Sequence, residues 1–243
     1  MANDDEWLAS EQDLAGRLGE LARSLQQEVS EDAVLERLVR AAVQLVPGAD
    51  EASITLVLGR RRVESRAPSG ELARTLDLLQ ERTGEGPCLS AVYEEQTVRV
   101  PDMRTEDRWP EFSSKAADAG AGSMLSFQLF VQGDNLGALN LVSRRPAAFT
   151  EESDYVGLLV ASHAAIAFAD AQKLHQFKDA IATRDLIGQA KGILMERYGL
   201  TAGQAFILLA DVSAETNVKL LTVADQLATT GSLPRRDGQR SPG

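Results

Sequence analysis

Leucines at 14, 18, 21 and 25 recur at steps of four, three and four, which makes one apolar stripe on a helix over residues 8–28. The stripe packs either on its own domain or against a second chain, because spacing of this kind over about two heptads does not decide. Ser30 caps a second helix whose Leu35, Leu38, Val39, Ala42 and Leu45 share a face, and Pro47 and Gly48 stop it. The run ASITLVL (52–58) sets Ile54, Leu56 and Leu58 against Ser53 and Thr55 and predicts a strand, with RVESRA (62–67) as its hairpin partner. A helix over 71–82, the loop GEGP (84–87), a short strand at 97–100 and a helix over 109–119 follow. The clearest hairpin joins SMLSFQLFV (123–131) to LGALNLV (136–142), with Gly133, Asp134 and Asn135 as its turn. An antiparallel sheet with helices before, between and after its strands is an α+β layer architecture.

Beyond Pro146 no proline occurs until Pro234. Thr150 resembles a helix cap, with Glu151 and Glu152 in the first turn, and nothing from there to Tyr198 reads as a stop. One helix of that length spans on the order of 70 Å at about 1.5 Å per residue. It reads as a connector leaving the first domain, with Leu174, Phe177 and Ile181 as a short seam; a break within 170–182 is the alternative. Thr201 to Gln204 (TAGQ) is a capping-box pattern opening a helix with Ala205, Phe206, Leu209 and Val212 inward. A last helix carries Leu220, Val223, Ala224 and Leu227 and ends at Gly231 and Pro234. Residues 183–230 therefore form a small module of three helices, and the tail 234–243 is expected to be disordered. The expected division is an N-terminal helical region 1–32, an α+β domain 33–172, and a connector with the all-α module over 173–233.

Charge narrows where a polyanion can bind. Residues 1–172 hold 16 Lys/Arg against 29 Asp/Glu, net −13, whereas residues 173–243 hold 9 against 7, net +2. An acidic body repels nucleic acid, so only the C-terminal part suits an anionic partner. The single cysteine, Cys88, excludes a disulfide within the chain and fits a reducing compartment. The acidic start MANDDEW lacks the apolar core of a signal peptide, and no apolar run reaches membrane-spanning length. The expectation is a cytoplasmic protein without membrane contact.

The segment IGQAKGILMERYG (187–199) has helical spacing yet carries two glycines, each costing about 1 kcal/mol relative to alanine. On a wheel at about 100° per residue, Leu186, Ile187, Ala190, Ile193, Leu194 and Tyr198 share one arc. Arg184 and Lys191 lie at its edge, and Met195, Gly188 and Gly192 lie beyond them. Small residues there allow close approach of another backbone, either a helix or a phosphodiester chain. A phosphate loop is excluded, since Lys191 precedes Gly192 inside a helical pattern with no strand before it.

The stretch from Arg184 to Phe206 carries the A-K-G-x-L-M core and the A-F pair, and S-x-x-x-N-x-K-L (213–220) follows at the proper distance. Together they resemble the ANTAR domain, a three-helix RNA-binding module of bacterial transcription antitermination regulators. The runs GEGPC (84–88), RWP (108–110) and SMLSFQLFVQGDNLGALNL (123–141) look like the GAF sensor halves of actinobacterial GAF–ANTAR proteins. That resemblance implies a homodimer whose two modules engage hairpin RNA in leader transcripts, where unstacked loop bases are exposed to side chains. It carries over Arg184, Lys191, Asn217 and Lys219 as RNA-binding residues, with Gln189 and Arg197 beside them. It also implies a small-molecule ligand at the GAF domain. Where typical members have basic residues this chain has Ala210, Asp211, Val218 and Leu221. On the wheel Val218 and Leu221 leave the last helix's apolar arc, which opens the alternative of an interaction protein whose C-terminal helices bind a protein partner through them.

Enzyme readings mostly fail. Reduction of free methionine sulfoxide by thiol chemistry needs more than Cys88, which has no resolving thiol. His163 among alanines reads as packing rather than a haem ligand. Asn140, Phe149 and Asp154 echo a cyclic-nucleotide signature, but Leu141 stands where that signature has lysine. No catalytic residue, metal site or cofactor is expected.

Overall fold

The computed structural model describes residues 2–28, 30–58, 62–131 and 134–234. The expected turn residue Gly133 and nearly all of the expected tail lie outside these residues. The chain divides into two compact units, Met1–Lys173 and Leu174–Gly243.

The first unit is built on five strands: β1 (Glu51–Leu58), β2 (Arg62–Arg66), β3 (Thr97–Val100), β4 (Ser123–Val131) and β5 (Asp134–Ser143). They pair antiparallel throughout, in the order β2-β1-β5-β4-β3. The expected hairpin is the β4–β5 pair at the heart of the sheet, with Phe127 opposite Leu139 and Leu125 opposite Leu141.

Alternation along the strands feeds two cores, one on each face. On one face Ile54, Leu125, Phe127, Leu139 and Leu141 meet helices α1 (Ala2–Leu25) and α2 (Glu31–Leu45) and the first turns of α6 (Glu151–Tyr198). Leu18, Leu21 and Leu25 are buried in this core, so the leucine stripe packs on its own domain. The Ser30 hydroxyl accepts from the Ala33 N–H at 3.2 Å and caps α2 as expected. On the other face α3 (Glu71–Thr83), α4 (Pro87–Tyr93) and α5 (Pro110–Asp118) cover Met124, Ala138 and Val142.

Helix α6 runs for 48 residues without the break weighed over 170–182. Its start differs from expectation: the Ser153 hydroxyl, not that of Thr150, satisfies a backbone donor, accepting from the Thr150 N–H at 2.9 Å and donating to the Pro47 carbonyl. In the second unit the end of α6 packs with α7 (Ala202–Thr216) and α8 (Leu220–Thr230) around Ala190, Leu194, Ala205, Leu209, Val223, Ala224 and Leu227. The Thr201–Gln204 capping box is formed in full.

Two residues expected inside this small core lie outside it. Tyr198 is 57% exposed, because α6 ends there and Gly199 turns the chain away. Phe206 is 43% exposed, because Ala205 and Leu209 fill the inner face of α7 and Phe206 stands about 100° round from Ala205. The reverse holds for Val218, expected to be exposed: it packs against the core from the α7–α8 turn. Leu221 is 40% exposed.

Candidate functional site

Strand β1 places Ser53 and Thr55 on the face opposite Ile54 and Leu56. That face is dry, because α3 to α5 cover it, and both residues are almost fully buried. Their hydroxyls join a network completed by other elements. Asp77 of α3 accepts from Ser53 Oγ at 2.9 Å and from Ser65 Oγ of β2. Asn140 of β5 donates to Thr55 Oγ1 at 2.9 Å and accepts from Ser126 Oγ of β4 at 3.0 Å. Burial pushes the Asp77 carboxyl up to about 7, against the downward pull of the Ser65, Ser53 and Asn140 hydrogen bonds.

Cys88 lies beside this network at the start of α4. Its backbone N–H donates to Gln80 Oε1 at 2.8 Å, and burial pushes its thiol up to about 12. The Gln80 side-chain nitrogen is buried with no partner among the described residues. Gln80, the Gly84–Gly86 loop, Leu89, Tyr93 and Trp109 are among the residues lining a groove of about 740 Å³. That volume lies in the range of small-molecule sites.

The sequence runs around the groove have structural causes. Glu85 of GEGPC accepts from the Glu111 and Phe112 N–H groups at 2.8 and 3.0 Å, satisfying free donors at the start of α5. Arg108 of RWP stacks 4.3 Å from the Trp109 ring centre, donates to the Arg99 carbonyl and pairs with Glu106. That pairing holds the Glu106 carboxyl below its ordinary value. Two further groups are accounted for. His163 Nδ1 lies 2.8 Å from the Leu159 carbonyl one turn back, and Asp154 pairs with Arg99. Among the described residues no group of three or more His, Cys, Asp or Glu is placed to hold a metal ion. No helix among the described residues is long and apolar enough to cross a membrane.

In the second unit the residues expected to meet RNA fall in three places. Arg184 and Gln189 are exposed and Lys191 half-buried on the last turns of α6, together with Gly188 and Gly192. A Cβ placed on either glycine meets no heavy atom within 4 Å. Asn217 and Lys219 are exposed at the α7–α8 turn. Asn217 ends α7 in the left-handed region at φ 54°, which asparagine tolerates better than most residues. The Ser213 hydroxyl braces the turn by donating to the Val218 carbonyl at 2.6 Å. Ser213 and Asn217 of the S-x-x-x-N-x-K-L run thus already have structural work. Arg197 stands apart, donating to the Gly231 carbonyl at the end of α8 at 2.7 Å.

A five-stranded antiparallel sheet clad by helices on both faces is followed along the chain by a separate three-helix module, which defines a two-domain α+β and all-α protein. A GAF-domain model matches residues 28–169 and an ANTAR-domain model residues 175–227. The chain belongs to the GAF-domain family, and with its ANTAR domain it is a GAF–ANTAR regulator. ANTAR domains are RNA-binding. No curated protein matches the chain. Among solved structures, the free methionine-R-sulfoxide reductase of Neisseria meningitidis is 20% identical at a TM-score of 0.52, over 66% of this chain and 91% of that one. The GAF domain of a Coxiella burnetii phosphoenolpyruvate-protein phosphotransferase is 19% identical at 0.52, over 67% and 96%. The free methionine sulfoxide reductase of Staphylococcus aureus is 14% identical at 0.51, over 64% and 94%. At these identities the likeness is one of fold.

Sequence reasoning missed Asp77, Ser53 and Gln80. In sequence Asp77 is one acid of an amphipathic helix, and Ser53 and Thr55 form the polar side of an alternating strand. Only the covering layer of α3 to α5 makes that side an interior.

Proposed function

We propose that this protein is a signal-responsive transcription antitermination regulator. The GAF domain, over 33–172, takes a small molecule at the groove that Tyr93 and Trp109 help to line. The ANTAR end, within 173–233, binds hairpin RNA in leader transcripts. The protein acts in the cytoplasm as a homodimer and performs no catalysis. The observation that carries this reading is the ANTAR match over 175–227, in which Arg184, Gln189, Lys191, Asn217 and Lys219 have solvent-accessible side chains. Arg197 completes the set of RNA-binding residues carried over by the family resemblance, and its contact with Gly231 makes it the member with the least freedom to leave.

The coupling element is α6, which begins against the sheet and ends in the ANTAR core. Ligand at the groove biases α6 between two arrangements and so sets the spacing of two RNA-binding modules. Residues 179–234 hold 4 Lys/Arg against 6 Asp/Glu, so phosphate contacts are few and loop bases carry much of the recognition. Filter binding with tandem-hairpin RNA at two salt concentrations tests this. Binding should weaken with salt, at a slope near −0.7 per phosphate engaged. Lys191→Ala and Arg184→Ala should each make that slope shallower. Absence of salt-dependent binding would remove the RNA reading.

A further inference from the structure

One buried donor in the first unit has no partner, and it belongs to a residue that lines the groove. Helix α3 ends at Gly84 in the left-handed region, and the loop that follows brings Gly86 and Cys88 against the side chain of Gln80. A Cβ on Gly86 would lie 2.5 Å from Gln80 Oε1, and Gly86 has φ 137°, so only glycine lets the backbone rest against this amide. Oε1 accepts from the Cys88 N–H at 2.8 Å. That contact fixes the amide's orientation, because the reverse would set two donors face to face. Gln80 is 2% exposed, and its Nε2 is the one buried side-chain nitrogen or oxygen without a hydrogen-bond partner among the described residues. The carbonyl half of the amide helps to start α4, whereas the amino half has no use within those residues. A buried donor left without an acceptor is unfavourable, and a ligand's acceptor would relieve it.

Charge narrows what carries that acceptor. Glu81, Glu85 and Glu94 also line the groove, and among the described residues none of the three makes an ion pair. Glu85 uses only Oε1 at the start of α5. No lysine, arginine or histidine is among the described residues that line the groove. Carboxylates gathered around a concave site attract cations and repel anions. Trp109 and the half-exposed Tyr93 add aromatic surface suited to a flat apolar group. The Trp109 ring already carries the Arg108 guanidinium, so Tyr93 is the aromatic side chain left to face a ligand's positive charge.

On the reading that this groove is the ligand site of the GAF domain, we infer that its ligand is a small organic cation carrying a flat apolar group and a hydrogen-bond acceptor. The acceptor meets Gln80 Nε2, the ring lies against Tyr93 and Trp109, and the positive charge sits among Glu81, Glu85 and Glu94. An anionic ligand finds one donor in Gln80 and three like charges around it, so the same lining that admits the cation turns the anion away.

Isothermal titration of the full chain with phenylalaninamide, phenethylamine, N-acetylphenylalaninamide and phenylpropanoate tests this at about pH 6, where the two amines are protonated. The four probes share one ring and differ in charge and acceptor. Phenylalaninamide should bind about tenfold or more tighter than the neutral and the anionic probe. It should bind about fivefold tighter than phenethylamine, which lacks the acceptor. Glu81→Gln combined with Glu94→Gln should narrow the gap between phenylalaninamide and the neutral probe about threefold. Gln80→Met should erase the advantage of phenylalaninamide over phenethylamine; if that variant does not fold, the four probes on the unaltered chain still decide. Equal affinity for all four, tighter binding of phenylpropanoate, or no binding of either amine overturns the inference. Tighter binding of phenylpropanoate that Tyr93→Ala weakens keeps the groove as the ligand site and removes only the ligand class. Binding that Tyr93→Ala leaves unchanged puts the site elsewhere and sinks the groove reading as well.

Discussion

Replacing Asp77 by asparagine isolates the cost of keeping a carboxyl inside the second core. In the fold burial raises its pKa to about 7 from an ordinary value of 3.8, a shift of roughly three pH units. Each unit corresponds to about 1.4 kcal/mol between the two protonation states, so the linkage amounts to roughly 4 kcal/mol. The folded protein holds this proton more tightly than the unfolded chain. Asp77's contribution to stability is therefore fully present below the unfolded value and is lost as pH rises through about 7. Asp50 and Glu106 are shifted downward, and their contributions run the other way, present above their unfolded values and lost as pH falls. Both groups remain in the variant and cancel in the difference. Urea unfolding from pH 4 to pH 8.5, followed by the fluorescence of Trp109 in a Trp7→Phe background, reads the unit that contains Asp77. The stability of Asp77→Asn relative to its parent should rise by as much as roughly 4 kcal/mol between pH 4 and pH 8, with most of the change before pH 7. A difference that stays flat across the range would refute the reasoning, for it would mean that Asp77 titrates alike in both states.

Three further outcomes follow from the geometry. Gly137, at φ 147° in the middle of β5, would place a Cβ 1.8 Å from the Thr55 carbonyl oxygen, so Gly137→Ala should destabilise the first unit by about 3 kcal/mol or more, seen as a lower urea midpoint. Arg197→Ala should lower the second unit's melting stability by about 1 kcal/mol through loss of the hydrogen bond to Gly231, and unchanged melting would show that this bond contributes nothing. With its thiol pushed up to about 12, Cys88 should resist a thiol reagent in the native protein at pH 8 and react only as the fold opens; rapid reaction in native buffer would contradict the burial.

The legible parts of the fold are those whose determinants are local. The β4–β5 hairpin announced itself because Leu125, Phe127 and Leu129 alternate with the polar Ser126 and Gln128 just ahead of the turn residues 133–135. Thr201 and Gln204 announced α7 because a capping box uses only atoms three residues apart. Helix α6 was visible through the lack of anything to stop it. What periodicity cannot supply is the state of the second face. Alternation in β1 says that Ser53 and Thr55 share a side, and it says nothing about whether that side is wet. Here α3 to α5 cover it, and the same polar positions become the interior that holds Asp77.

The errors in the C-terminal module have a common cause of a different kind. A wheel assigns direction only within one helix, and Val218 lies before Leu220, the first residue of α8. It belongs to a turn in which Asn217 has positive φ, and that reversal points Val218 into the core instead of outward. Tyr198 fails for the mirror-image reason, since it is the last residue of α6 and no turn of helix follows to cover it. The glycine pair shows the limit most sharply. Spacing set Gly188 and Gly192 outside the core arc beside Lys191, and the structure leaves a Cβ at either position free of any heavy atom within 4 Å. Two residues that each cost the helix about 1 kcal/mol relative to alanine therefore have no packing cause among the described residues, which no local pattern could have shown.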